Sequence, residues 1–378
     1  EYTAGIGVSG QKSYSPMALP DLSGYTSYLT SDSKIRIYAY NIYTNSAVSN
    51  SYATAIRDIF NNYSVRSNVL SKMGKSSIPQ ESSGQTIIFF NSSLSGGGQV
   101  IANGDSTYRI ELGLTAGRYV VTHEYAHIVQ MNGHGATYTA GRGWWMEGTA
   151  DWVGKILASN DHYLSRLTTL QNQPWLAYDS GSISDTSSRI YGTAALAMYL
   201  EAQNAGVVGQ SFSYYPSYTY GRDAINAALS ALGSNLSTRF RDYAIRMYRP
   251  STQMNSIVSY ASGWSEANYK GTGLIADGAT VAMTSNSIDH LGVDYIRMQT
   301  SSNSARTITI TIPSISNGCQ YWLLKRGSSS TSWSYEQVTS SPVVVTNYNT
   351  TIKELVLCVV NTTGSAKTSL TYTIKVTV

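Results

Sequence analysis

The sequence predicts an α+β chain in two parts: a mixed helix-and-strand region over residues 1–274, then an all-β sandwich over 275–378. Three observations predict it. Several segments before Pro250 carry apolar residues at helical spacing. Beyond Gly271-Thr272-Gly273, short alternating runs of Val, Ile, Thr and Tyr are separated by Ser/Asn/Gly turns. Finally, 378 residues suit two domains better than one small module, and 42% apolar residues can fill their cores.

The first 30 residues read as an extended lead-in rich in Gly, Ser and Tyr. Ile35-Arg-Ile-Tyr-Ala-Tyr40 alternates as a strand, and residues 52–73 have helical spacing that stops at Gly74. Strands are predicted at Thr86–Phe90, at Gly97–Ala102 and at Tyr108–Leu112. A helix is predicted from Arg118 to Met131, closing at Asn132-Gly133, with further helices over 147–158, 188–205, 222–232 and 236–248. Later strands include Thr307–Ile312, Val343–Val345, Leu355–Val360 and Leu370–Val376.

Composition excludes several classes of function. Only 13% of residues are charged, so disorder of the highly charged kind is ruled out. No run of 18 apolar residues exists to span a membrane. The net charge of +4 comes without a basic block, which argues against an electrostatic nucleic-acid binder. Thirty Tyr against five Phe, in a chain rich in Ser, Thr, Asn and Gly, gives a polar but nearly uncharged surface of the kind secreted proteins carry. Five N-x-[ST] sequons, at Asn62, Asn91, Asn235, Asn349 and Asn361, are a weak sign in the same direction. The start at Glu1 fits a removed signal peptide or pro-segment, or a trimmed chain. Cys319 and Cys358 lie in apolar, strand-like runs and fit either two buried thiols or one bridge between neighbouring strands.

His123-Glu124-Tyr125-Ala126-His127 carries the chemistry. Histidines four apart share a helix face and can present ring nitrogens to one ion at ~2.0–2.1 Å, the zinc distance. Glu124 projects beside them, where it can take a proton from metal-bound water. Val120, Val121, Ile128 and Val129 make this a core helix, and a metal gives the otherwise costly buried His-Glu-His a partner. A third ligand is needed. His134 is one residue late for the H-E-x-x-H-x-x-G-x-x-H pattern, and Gln130 stands where that pattern has its turn glycine. Glu147 and Asp151, four apart in Gly143-Trp-Trp-Met-Glu-Gly-Thr-Ala-Asp-Trp152, are the better candidates. One can bind the metal while the other orients a ligating histidine.

His123-Glu-x-x-His127 with Glu147 twenty residues later and Asp151 four beyond resembles the gluzincin zinc metallopeptidases, and Glu147-Gly-Thr-Ala-Asp151 resembles their secreted bacterial collagenase-like members. The resemblance implies a thermolysin-like catalytic domain, in which an N-terminal mixed sheet carries the zinc helix and a helical lobe follows. It implies zinc held by His123, His127 and Glu147, with Glu124 as general base and Asp151 behind a ligand. It also implies that an edge strand, here Gly98, Gln99 and Val100, pairs with the substrate backbone. Ile190-Tyr191-Gly192 is similar to a segment of related peptidases, and a hydroxyl there can hydrogen-bond the oxyanion.

The expectation is therefore a secreted, monomeric zinc peptidase acting on protein or peptide through a zinc-bound water activated by Glu124. The β-domain would have a glycan or matrix ligand. The alternative is an extracellular glycan- or matrix-binding protein with a vestigial zinc site. A zinc that only staples the fold is disfavoured, because structural sites usually have four protein ligands and are rich in Cys.

Overall fold

A computed structural model describes residues 17–139, 141–159, 163–178, 189–329 and 331–378. By packing, the chain forms two units: Glu1–Tyr163 with Gly181–Gly233, and Leu164–Ser180 with Ser234–Val378. It mixes helix and sheet and is β-rich towards the C-terminus.

The first unit begins with β1 (Ser27–Leu29), β2 (Ile35–Asn41), β3 (Ser46–Ala47), α1 (Asn50–Asn62), α2 (Val65–Lys72), α3 (Pro79–Ser83), β4 (Thr86–Phe90), β5 (Gly98–Ala102), β6 (Tyr108–Leu112) and α4 (Arg118–Ile128). The sheet runs β1-β2-β4-β6-β5, with β3 beside β2. Strands β2, β4 and β6 are parallel, and β5 is an antiparallel edge. Apolar residues explain the layering: Ile35, Ile37, Ile88, Ile110 and Leu112 are fully buried. The single helix expected over 52–73 is broken. Ser64 takes φ +49 between α1 and α2, in an Asn-Asn-Tyr-Ser stretch whose short polar residues favour turns over a helix interior.

After α4 the backbone widens into a π-helical turn over Val129–Gly133. Helices α5 (Gly143–Ala158), α6 (Tyr163–Asn172), α7 (Arg189–Gly192), α8 (Ala194–Gln203), α9 (Val207–Tyr214) and α10 (Gly221–Ala231) follow, of which α6 belongs to the second unit. Helix α5 starts four residues before the expected 147, because Trp144, Trp145 and Met146 are themselves core residues with no exposure. The helix expected over 188–205 is two helices interrupted at Thr193, and residue 188 lies outside the described residues. Gly148 is what lets these helices meet. A Cβ there would lie 2.0 Å from Thr193 Oγ1 and 3.0 Å from the Thr193 carbonyl carbon.

The second unit adds α11 (Leu236–Met247), α12 (Pro250–Gln253), β7 (Lys270–Ile275), β8 (Thr280–Thr284), β9 (Gly292–Thr300), β10 (Arg306–Thr311), β11 (Cys319–Gly327), β12 (Trp333–Val338), β13 (Val343–Tyr348), β14 (Ile352–Asn361) and β15 (Thr371–Thr377). The strands form two layers, β7-β9-β14-β11-β12 and β13-β10-β15-β8, joined at one parallel pair, Tyr348 with Ile352. Between them lies a core of Ile296, Met298, Leu323, Leu355 and Leu357 against Ile308, Ile310, Tyr372 and Ile374. Strand β14 is buried at every residue from Glu354 to Asn361. A strand covered on both faces reads as an unbroken apolar run, and Leu355–Val360 is one. Its second face packs against α11.

The sequence puts a boundary at 274/275, where alternation takes over. Packing instead groups α11, α12 and the segment around α6 with the strands. Main-chain bonds carry this: Val293 N–H donates to Pro174 O at 2.9 Å, and Asn268 N–H to Gln171 O at 2.9 Å. Cys319 and Cys358 are both buried and free. Cys358 pairs with Trp322 and Cys319 with Asn361, so the two thiols occupy opposite faces of the sheet and cannot bridge.

Candidate metal centre

Helix α4 supplies two histidines and α5 supplies two carboxylates, and the helices pack side by side. His123 Nε2 and His127 Nε2 are 3.0 Å apart. Glu147 Oε2 lies 3.2 Å from His123 Nε2 and 3.3 Å from His127 Nε2. These three residues form a buried group that can hold a metal ion. A tetrahedral zinc with bonds of ~2.0–2.1 Å needs ligand atoms ~3.3–3.4 Å apart, so the triangle is close to the required size.

The far side of each ring fixes its proton. His123 Nδ1 lies 2.8 Å from Asp151 Oδ1. His127 Nδ1 is 2.8 Å from Gln130 Oε1, and Gln130 Nε2 donates to Met146 O and Thr149 Oγ1, both at 3.0 Å. That fixes the amide orientation, so an acceptor faces Nδ1 in both rings and each Nδ1 carries a hydrogen. When both rings are neutral, both Nε2 lone pairs then point at the same place as Glu147 Oε2. Three lone-pair atoms converging in a buried space repel unless a cation sits among them. A proton meets part of that need: burial opposes charge on His123, but hydrogen bonds to Asp151 and Glu147 outweigh it and push the ring up to about 10.

The carboxylates are themselves held. Tyr138 Oη donates to Glu147 Oε1 at 2.7 Å, leaving Oε2 for the histidines. Tyr119 Oη donates to Asp151 Oδ1 at 2.5 Å. Glu124 differs. It is only 5% exposed, and its Oε2 has no hydrogen-bond partner among the described residues. A buried carboxylate oxygen left unpaired is uncommon and calls for a reason.

Edge strand β5 runs beside Glu124. A Cβ on Gly98 would lie 2.6 Å from Glu124 Cγ and 3.0 Å from its Oε1, so only glycine fits without displacing the carboxylate. Gly113 N–H bonds Gly97 O at 2.8 Å and Asn103 N–H bonds Thr107 O at 2.9 Å, so odd-numbered residues of β5 face β6. The main-chain groups of Gly98, Val100 and Ala102 therefore point to the open edge, where Ala102 O accepts Met17 N–H at 3.1 Å. Gln99 faces inward to the ladder, and its side chain bonds Glu111 Oε2 at 2.9 Å. Of the three edge residues expected from sequence, Gly98 and Val100 turn their main-chain groups to the open edge and Gln99 turns its own to β6.

Tyr191 lies beside the site, its ring centroid 6.2 Å from that of His123. His134 does not join it. Its Nε2 donates to Met73 O at 2.8 Å, and burial lowers the ring to about 4, so it is neutral. Sequence reasoning passed over Tyr119, Tyr138 and Gln130. Among 30 tyrosines nothing in the sequence marks the two that hold carboxylates, whereas Gln130 stands three residues after His127, where the sequence pattern shows only a missing glycine.

Fold and site together define an α+β chain with a buried His-His-Glu group able to hold a metal. No protein-family model matches the chain, and no characterised protein matches it in sequence. It is distantly similar to solved structures. The ZmpB metallopeptidase from Clostridium perfringens is 13% identical over 85% of this chain and 67% of that one, with a TM-score of 0.33. A chain with the CBM32-1, CBM32-2 and M60 catalytic domains of the same ZmpB is 11% identical over 89% of this chain, with a TM-score of 0.31; the match spans 36% of that chain. The pre-peptidase C-terminal domain of a collagenase from Bacillus anthracis is 16% identical over 30% of this chain and 99% of that one, with a TM-score of 0.20. These likenesses are too distant to carry chemistry, which rests on the site itself. Among the described residues, no helix is long and apolar enough to cross a membrane.

Proposed function

We propose that this chain is a secreted zinc peptidase of gluzincin type. The observation that carries the reading is the convergence of His123 Nε2, His127 Nε2 and Glu147 Oε2 on one point, with Glu124, whose Oε2 has no hydrogen-bond partner among the described residues, one residue along the same helix. Imidazole and carboxylate donors at this spacing suit zinc, and three protein ligands leave a position open, as catalytic zinc sites do. Zinc bound there supplies Lewis acidity that acidifies water and polarises a carbonyl.

The chain's own residues do the rest. Glu124 accepts a proton from water and later delivers it to the leaving amine. An extended peptide lies along β5, bonding the outward main chain of Gly98 and Val100, which brings its backbone next to Glu124. Tyr191 donates its hydroxyl hydrogen to the developing oxyanion. Asp151 and Gln130 keep both ligand histidines in the Nδ1–H form. The layered strands of the second unit bind a glycan or matrix ligand.

Glu124→Gln tests the mechanism, because it keeps shape and removes the basic oxygen. Zinc content and melting temperature should stay at parent values while hydrolysis of casein or a peptide library falls at least ~100-fold. Cleavage at the parent rate would remove Glu124 as the base. A parent protein that binds zinc yet hydrolyses no peptide would favour the binding-protein alternative.

A further inference from the structure

We infer that Gln130 clasps the two ligand-bearing helices together at the His127 end and tunes the site's metal affinity, an inference that rests on the zinc reading above. Gln130 is fully buried in the π-helical turn that follows α4. A buried primary amide must place one acceptor and two donor hydrogens, and the structure accounts for all of them. Its Oε1 faces His127 Nδ1 at 2.8 Å, and its Nε2 reaches Met146 O and Thr149 Oγ1 on α5, each at 3.0 Å.

Met146 directly precedes the third ligand, Glu147. One side chain therefore does two things at once. It holds His127 in the tautomer that aims Nε2 at the metal position. It also fixes the main chain next to Glu147 relative to α4, and so the spacing of the histidine pair from the carboxylate. Thr149 extends the clasp, since its hydroxyl hydrogen-bonds Trp145 O at 2.7 Å on the same helix. Asp151 gives His123 the equivalent partner but comes from α5 itself. Gln130 reaches across in the opposite direction, so each helix orients a group on the other.

Gln130 touches neither the metal position nor a reacting group and is a positioning residue. Gln130→Met fills the space, removes the acceptor and both donors, and should weaken zinc binding by roughly 10–100-fold. Gln130→Glu keeps an oxygen for His127 Nδ1–H but loses both donors to α5, so its loss should be smaller than that of Gln130→Met without reaching the parent value. Zinc affinity is read by competition with a chromogenic chelator, and each variant's metal-free melting temperature is recorded alongside it. Parent-like affinity in Gln130→Met would overturn the inference, as would equal losses in the Met and Glu variants.

A second measurement does not depend on the variants folding. Long-range nitrogen–proton NMR spectra of the zinc-loaded parent should show His127 protonated at Nδ1 with Nε2 metal-bound. The reverse assignment would overturn the role of Gln130 while leaving zinc binding intact. A parent that takes up no zinc in the same titration would instead sink the metal reading itself.

Discussion

Residue-scale consequences follow from how little room the site leaves. Gly98→Ala would put a methyl 2.6 Å from Glu124 Cγ, and the carboxylate is the flexible partner that must move. Zinc binding should survive, because Gly98 touches no ligand, whereas turnover should fall by ~10-fold or more as the base is displaced. Unchanged kcat with normal zinc content would show that Glu124 does not need its present position. His134 gives a pH prediction of a different kind. Burial lowers it from 6.5 to about 4, so in that window the unfolded chain binds a proton that the folded chain excludes. Stability is therefore fully present above pH ~6.5 and falls on acidification towards pH 4, by about 3 kcal/mol at most. His134→Gln retains a donor for Met73 O and removes the titration. Its denaturant midpoint should depend less on pH between 6.5 and 4, and an unaltered acid limb would contradict the assignment.

At the scale of elements, what matters is how closely α5 meets its neighbours. Gly148 allows α5 to touch the backbone at Thr193, just beyond α7 with Tyr191 and at the start of α8. Thr193 Oγ1 in turn donates to Trp144 O at 3.0 Å. Gly148→Ala should lower stability by about 1–3 kcal/mol through overpacking, and should loosen zinc binding as α5 shifts. Thermal unfolding and chelator competition measure both, and a parent-like melting temperature would show that the contact relaxes without cost. Three residues further along α5, at Asp151, Tyr119 Oη holds the carboxylate behind His123. Tyr119→Phe removes that bond while keeping the ring, and should weaken zinc binding less than Asp151→Asn, for which a loss of roughly 10–100-fold is expected. The reverse order, measured by the same competition, would mean that Asp151 acts other than through His123.

For the whole molecule, the course of the chain decides which truncations fold. The strand pattern alone invites a cut near Ala276, leaving the mixed helix-and-strand part. Yet Phe240, Tyr243, Ala244 and Met247 of α11 are buried, and α11 packs against β11 and β14 in the second unit. A protein ending near Ala276 would expose that face, and it would also leave Pro174 O without the Val293 N–H it accepts. Such a truncation should accumulate as aggregate rather than as active enzyme. A soluble, zinc-binding, peptidase-active fragment would show that α11 folds without the strands that cover it.

Much was legible in the order of residues, because the physics there is local. H-E-x-x-H on an apolar helix puts two imidazoles on one face whatever surrounds it, and Glu147 with Asp151 follows the same four-residue rule. Period-2 runs after Gly271 announced strands, and the unbroken Leu355–Val360 run carried the sign of a strand buried on both faces. What only tertiary structure decided is what depends on partners distant in sequence. Whether the Gln130 amide reaches Met146 O and Thr149 on α5, which of 30 tyrosines holds a carboxylate, and whether Gly98 abuts Glu124 are set by the packing of separate elements. The grouping of α6 and α11 with the strands is of the same kind, since apolar faces at helical spacing show that a helix must be covered but not by which sheet.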